Sequence, residues 1–195
     1  MFTIITYELD GKLYINLTNR CSNHCVFCVR DKPDSFDYNL WLESEPSAEE
    51  VIQEIGTADK YEEIIFCGFG EPTMRLDELL TIARYIKTLN KKVRLNTNGQ
   101  ADLVWGRPTA ASLSGLIDSV SISLNAGDRT KYQERCLSEY GEAAFDAVIN
   151  YARDCVRYVP EVTLSIVGDL PEEELKRCKA IAEEIGAKFR VRTLI

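Results

Sequence analysis

Three cysteines within eight residues, Cys21, Cys25 and Cys28 in NRCSNHCVFCVRDK (19–32), are the residues of this 195-residue chain best suited to chemistry. In a reducing compartment, thiols this close together favour metal binding or catalysis over crosslinks. The chain's seven cysteines are also an odd number. A structural metal site is normally closed by four protein ligands. Three thiolates on a [4Fe–4S] cluster leave one iron without a protein ligand, and an open position marks a reactive site. Zinc held by the three cysteines and His24, the only histidine, is the competing assignment. It is disfavoured because His24 and Cys25 are adjacent and point apart, and no second knuckle follows. His24 is expected to face solvent.

Six strand-like segments place this loop. Residues 12–18 (KLYINLT) alternate as a strand that ends at the cysteines, and 63–67, 92–99, 118–127, 161–169 and 188–195 read as five more. Helical patterns lie between them at 47–56, 76–90, 128–137, 141–157 and 171–186, the first opened by a Ser47/Glu50 capping box and the last by Pro171. Residues around 105–115 are poorly periodic. Strands separated by helices imply a parallel sheet with right-handed crossovers.

One face of these strands is repeatedly polar: Asn16 and Thr18; Arg94, Asn96 and Asn98; Ser121, Ser123 and Asn125; Thr163 and Ser165; Arg190 and Arg192. The opposite faces are apolar and suit covering helices. Polar faces that converge describe a curved sheet around a cavity, so the expected fold is α/β, a six-stranded partial (β/α)6 barrel of TIM type. A flat sheet with one solvated face is the alternative. The site then lies at the carboxyl ends of the strands. The whole chain, 1–195, is expected to be one domain, with 19–30 as its cluster loop.

The N-terminus lacks the basic and apolar regions of a signal peptide, and no apolar run approaches the roughly 20 residues that span a bilayer. A cytoplasmic protein is expected. A net charge of −8 argues against non-specific binding to nucleic acid or anionic membranes.

C-x3-C-x-aromatic-C, with Phe27 as the aromatic, resembles the signature of the radical S-adenosylmethionine superfamily. The resemblance implies a [4Fe–4S] cluster on Cys21, Cys25 and Cys28 whose fourth iron is chelated by S-adenosylmethionine. Reductive cleavage of that cofactor gives a 5′-deoxyadenosyl radical that abstracts hydrogen from a substrate. An electron donor such as flavodoxin or ferredoxin is implied as partner, and an oxidoreductase or transferase as the class of enzyme. CGFGEPT (67–73) resembles the family's glycine motif, with Phe69 in place of a usual glycine. Gly68, Gly70 and Glu71 are the implied cofactor residues there, glycine permitting close approach of the cofactor. LNTNG (95–99) and SISLNA (121–126) resemble later motifs, in which Asn96 matches a position binding the methionine amino group. Ser123 and Asn125 match positions touching the ribose or carboxylate. SIVGD (165–169) resembles a segment whose Ile166 or Val167 packs on adenine. More narrowly, CSNHCVFCVR, SLNAGD and RCLSEYGEAAFDAVINYA resemble small radical S-adenosylmethionine proteins associated with TatD-type nucleases, a group without an assigned substrate.

The other cysteines read mostly as core, with Cys67 beside the glycine motif. Arg94, Arg190 and Arg192 share the polar faces and are candidates to hold a carboxylate or phosphate of an anionic substrate. Solvent-facing arginines on a last strand are the plainer assignment for Arg190 and Arg192. The 31–46 loop with Trp41 is a candidate lid. An iron–sulfur electron carrier or regulator that never cleaves the cofactor is the alternative function, and the count of three cysteines speaks against it, since carriers normally supply four.

Overall fold

The computed structural model describes residues 4–32, 38–168 and 170–192. Its centre is one sheet of seven strands in sequential order: β1 (Thr6–Leu9), β2 (Lys12–Ile15), β3 (Glu63–Phe66), β4 (Lys92–Thr97), β5 (Ser119–Ser123), β6 (Glu161–Val167) and β7 (Lys188–Arg192). From β2 onward every pairing is parallel. The seventh strand, missing from the sequence expectation, is β1. Asp10 and Gly11 both adopt positive φ (51° and 68°), the backbone of a tight hairpin turn. The preceding residues fold back antiparallel, with Thr6 opposite Ile15 and Leu9 opposite Lys12.

The helices are α1 (Ala48–Ile55), α2 (Leu76–Thr88), α3 (Ala101–Trp105), α4 (Arg129–Cys136), α5 (Ala143–Tyr158) and α6 (Glu172–Ile185). The α1 capping box forms as its sequence implies, Ser47 and Glu50 exchanging side-chain and backbone hydrogen bonds. Asp128 caps α4 by accepting from the Lys131 amide. The single turn of α3 ends where the poorly periodic stretch begins, and a 3-10 turn at Ala110–Leu113 lies within it; both are too short for an amphipathic period to register.

Leu13, Ile15, Ile64, Phe66, Val93, Leu95, Val120, Ile122, Leu164 and Ile166 face outward and are buried under Val51, Leu79, Ile82, Val148, Tyr151 and Ala152 of the helices. Cys155 and Cys178 belong to this core, as their helical spacing implies. The inward face is layered along the strands. Tyr7, Tyr14, Leu40 and Ile65 fill its amino end as a separate apolar cluster. Above them the inward residues turn polar, and the polar faces do converge on one cavity. Sequential parallel strands put the helices on one side of the sheet and curl it, with β1 and β7 as its edge strands. The fold is a partial TIM-type barrel.

Candidate active site

A cavity of about 240 Å³ opens at the carboxyl ends of the strands. It is bordered by Cys21, Cys25, Phe27 and Cys28 of the loop after β2, by Gly68, Gly70 and Glu71 after β3, by Asn96 on β4, and by Ser123 and Asn125 on and after β5. All but one of the cofactor and metal residues expected from sequence therefore meet in one place. The exception is Ile166, which faces the helices, because along β6 the outward parity is Val162, Leu164, Ile166. Val167, one residue on, borders the cavity instead.

The cysteine loop is held from two sides. The amides of His24 and Val26 donate to the carbonyls of Cys136 (3.0 Å) and Arg135 (3.0 Å) at the end of α4, and Glu139 N donates to Ser22 O (3.0 Å). Beneath the loop, Gln100 Nε2 donates to Asn23 Oδ1 (2.7 Å) and Tyr132 Oη (2.8 Å), and Ser138 Oγ donates to Gln100 Oε1 (3.0 Å). Asn98 Nδ2 donates to Ser22 Oγ at 2.9 Å and lies 3.9 Å from Cys21 Sγ. Sequence reasoning missed Asn23, Gln100, Tyr132 and Ser138, since their meeting depends on where α4 packs. Arg135 stacks over Phe27, its guanidinium 5.1 Å from the ring centre. His24 is exposed, as expected.

Burial pushes the Cys21 thiol up to about 12, with the Glu71 carboxylate adding to it, and burial also raises Cys28. Cys25 is raised chiefly by a hydrogen bond with the thiol of Cys136 and then by burial; the same contact lowers Cys136. Cys136, the last residue of α4, is buried behind the loop and accepts from Asn125 Nδ2 at 3.6 Å. Arg30, next to the loop's last cysteine, eases all three thiols toward the thiolate.

Packing gives these glycines a reason of its own. A Cβ on Gly68 would stand 2.1 Å from Asn16 Oδ1, and one on Gly70 would stand 2.2 Å from the Thr18 carbonyl and 2.6 Å from that of Arg20. Their bareness lets the β3 loop press against the backbone that leads into the cysteines. Glu71 N seals the contact on Arg20 O (2.8 Å). The Glu71 side chain is buried and accepts four hydrogen bonds: from Thr73 N (3.0 Å), Thr73 Oγ1 (2.7 Å), Thr97 Oγ1 (2.7 Å) and Asn98 N (2.6 Å). Burial raises its pKa and these donors pull it down. It ties the end of β3 to the end of β4.

Several expected residues lie elsewhere. Arg94 does not border the cavity; it sits lower on β4, 3.4 Å from Tyr14 Oη and 3.8 Å from Glu63 Oε2. Asn16 donates to the carbonyls of Ile4, ahead of β1, and of Leu40 in the following loop, and Thr18 fastens that loop through Glu45. In the candidate lid, residues 33–37 lie outside the described residues. Residues 38–46 run along the end of β2, where Asn19 exchanges hydrogen bonds with Leu42, and none of them borders the cavity. Trp41 packs edge-on against Phe69 at 5.5 Å.

The donor set fits an iron–sulfur cluster with a small polar ligand beside it. Among the described residues, no three His, Cys, Asp or Glu side chains gather as ligands of a single ion would. A cluster asks for something else, one thiolate per iron, and the three cysteines rim one cavity. Asn96 Oδ1 is buried beside it with no hydrogen-bond partner among the described residues, an acceptor suited to an ammonium group.

Comparison with known proteins agrees. The family model described as Radical SAM superfamily matches residues 15–185. A probable GTP 3′,8-cyclase from Methanocella arvoryzae is 34% identical over 126 residues, 63% of this chain and 36% of that protein. Streptococcus suis SuiB bound to its precursor peptide SuiA superposes with a TM-score of 0.74 at 18% identity, over 97% of this chain and 40% of SuiB. SuiB bound to S-adenosylmethionine gives 0.70 at 18% identity, over 95% of this chain and 41% of that one. Such identities speak for the fold alone. The chain spans 36%, 42% and 46% of three curated relatives, each named a probable GTP 3′,8-cyclase. Among the described residues no helix is long and apolar enough to cross a membrane. With its family signature matched over most of its length and its strands curled around the three cysteines, this chain belongs to the radical SAM superfamily.

Proposed function

We propose that residues 1–195 form a single radical-generating domain, in which Cys21, Cys25 and Cys28 hold a [4Fe–4S] cluster and S-adenosylmethionine completes its open iron. The observation that carries this is the meeting of three cysteines, the β3 glycine loop and the unpartnered Asn96 Oδ1 on one cavity. Bound there, the cluster and cofactor supply a 5′-deoxyadenosyl radical for hydrogen abstraction. The protein's own part is positional. Asn96 accepts from the methionine amino group, with Gly68, Gly70 and Glu71 shaping the wall beside it. Ser123 and Asn125 face the ribose and carboxylate, and Phe27 and Val167 give apolar contact. The electron comes from a flavodoxin- or ferredoxin-type donor. Seven free thiols suit a reducing compartment such as the cytoplasm.

One observation favours a second reading. Cys136 hydrogen-bonds Cys25, and a fourth thiolate would close the cluster into an electron carrier's. Cys136 does not border the cavity, which weighs for the open site. Anaerobic reconstitution with iron and sulfide separates the two. About four irons per chain are expected, with an electron paramagnetic resonance signal of the reduced protein that changes when S-adenosylmethionine is added. One equivalent of zinc and no iron chromophore, or a signal indifferent to the cofactor, contradicts the proposal.

A further inference from the structure

β7 closes the sheet on the side away from the cysteine loop, and its inward residues are two arginines. Arg190 and Arg192 are two apart on one strand, so their side chains leave the same face. Both border the cavity. Arg190 Nη2 donates to Ser121 Oγ at 3.0 Å, and Arg192 Nη2 reaches Asn125 Oδ1 at 3.4 Å. These contacts are neutral, and among the described residues neither guanidinium is ion-paired to a carboxylate. Among the described residues, Arg192 Nε is buried with no hydrogen-bond partner.

Two guanidiniums side by side in a half-enclosed cavity repel one another, and burial works against the Arg192 cation in the same sense. The arrangement costs free energy until an anion joins it. Arginine's planar fork suits the oxygens of a phosphate or carboxylate. The chain's net charge of −8 makes the pair a local exception and no part of a general basic surface. On this basis, and resting on the cavity being that of a radical S-adenosylmethionine enzyme, we infer that Arg190 and Arg192 form an oxyanion site for the substrate's phosphate or carboxylate. The cofactor's own carboxylate is the other source of that chemistry. Arg190 favours the substrate, because its contact is Ser121, which the cofactor assignment leaves unused, whereas Arg192 meets the cofactor wall at Asn125. An anion gripped there leaves the rest of the substrate to extend toward the centre of the cavity.

The test is titration of the reconstituted full chain with inorganic phosphate, with and without saturating S-adenosylmethionine. Phosphate is expected to bind the wild type with an affinity that S-adenosylmethionine changes by less than about twofold. The double variant Arg190→Ala with Arg192→Ala is expected to bind phosphate at least tenfold more weakly. Should it fail to fold, Arg190→Gln with Arg192→Gln leaves a polar side chain with fewer donors while removing the charge, with the same tenfold loss expected. Unchanged phosphate affinity in the folded double variant overturns the site. Displacement of phosphate by S-adenosylmethionine reassigns it to the cofactor and overturns the substrate role. Absence of cofactor binding in the wild type counts against the family chemistry, while the phosphate arm still judges the arginines.

Discussion

At the scale of single residues, the site rests on close approaches and an unpaired hydrogen-bond acceptor. Gly70→Ala would drive a methyl group to 2.2 Å and 2.6 Å from two backbone carbonyls, which cannot turn aside as a side chain can. Overpacking of this kind costs about 1–3 kcal/mol, and Gly70→Ala is expected to lose at least 2 kcal/mol or so in urea unfolding. A loss under about 0.5 kcal/mol would show that the loop relaxes freely. Asn96 has the opposite character: its Oδ1 lacks a protein partner, so Asn96→Ala should leave the unfolding midpoint nearly unchanged. A charge-assisted hydrogen bond is worth roughly 1.5–3 kcal/mol, so S-adenosylmethionine should bind about 10- to 100-fold more weakly in equilibrium dialysis. Equal affinity would remove Asn96 from the cofactor site. Cys136→Ser decides between three and four thiolates. On the open-site account it retains full iron content after reconstitution, and a loss of iron would make Cys136 a ligand.

The elements show what the sequence could and could not disclose. Strand parity was legible, because alternation of polar and apolar residues is a local property, and Ser121, Ser123, Ser165, Arg190 and Arg192 do share one cavity. The capping box of α1 was legible for the same reason. Arg94 has the right parity but the wrong height, since parity fixes the face of a strand and not the layer along it. Ile166 against Val167 turns on a single residue of register, which the motif alone left open. The alternation that runs from the N-terminus to Leu17 reads as strand, but β1 was not counted apart from β2 because Asp10-Gly11 turns the chain within two residues. The largest omission is the network under the cysteine loop, which joins residues from the loop, the end of β4 and α4. Gln100→Leu keeps the volume and leaves Asn23, Tyr132 and Ser138 short of partners. Each orphaned group costs about 1–3 kcal/mol. A variant still folded by circular dichroism is therefore expected to load less than half the wild-type iron. Full loading would show that the contacts from α4 suffice to hold the loop.

For the molecule as a whole, order of strands and order of function coincide. Sequential parallel strands bring every carboxyl end to one rim, so the cysteine loop, the glycine loop, Asn96, Asn125 and the β7 arginines follow one another around the cavity in chain order. The apolar plug of Tyr7, Tyr14, Leu40 and Ile65 fills the other end of the inward face. That plan fits a fold that makes a reactive species at one wall and presents a substrate to it from another. The measurement that bears most directly on it is production of 5′-deoxyadenosine under anaerobic reduction with S-adenosylmethionine, in wild type and in Cys28→Ala. The account predicts 5′-deoxyadenosine from the reconstituted wild type and none above background from Cys28→Ala. A wild-type protein that carries its cluster and binds the cofactor yet yields no 5′-deoxyadenosine, or a Cys28→Ala variant that yields as much, would contradict it.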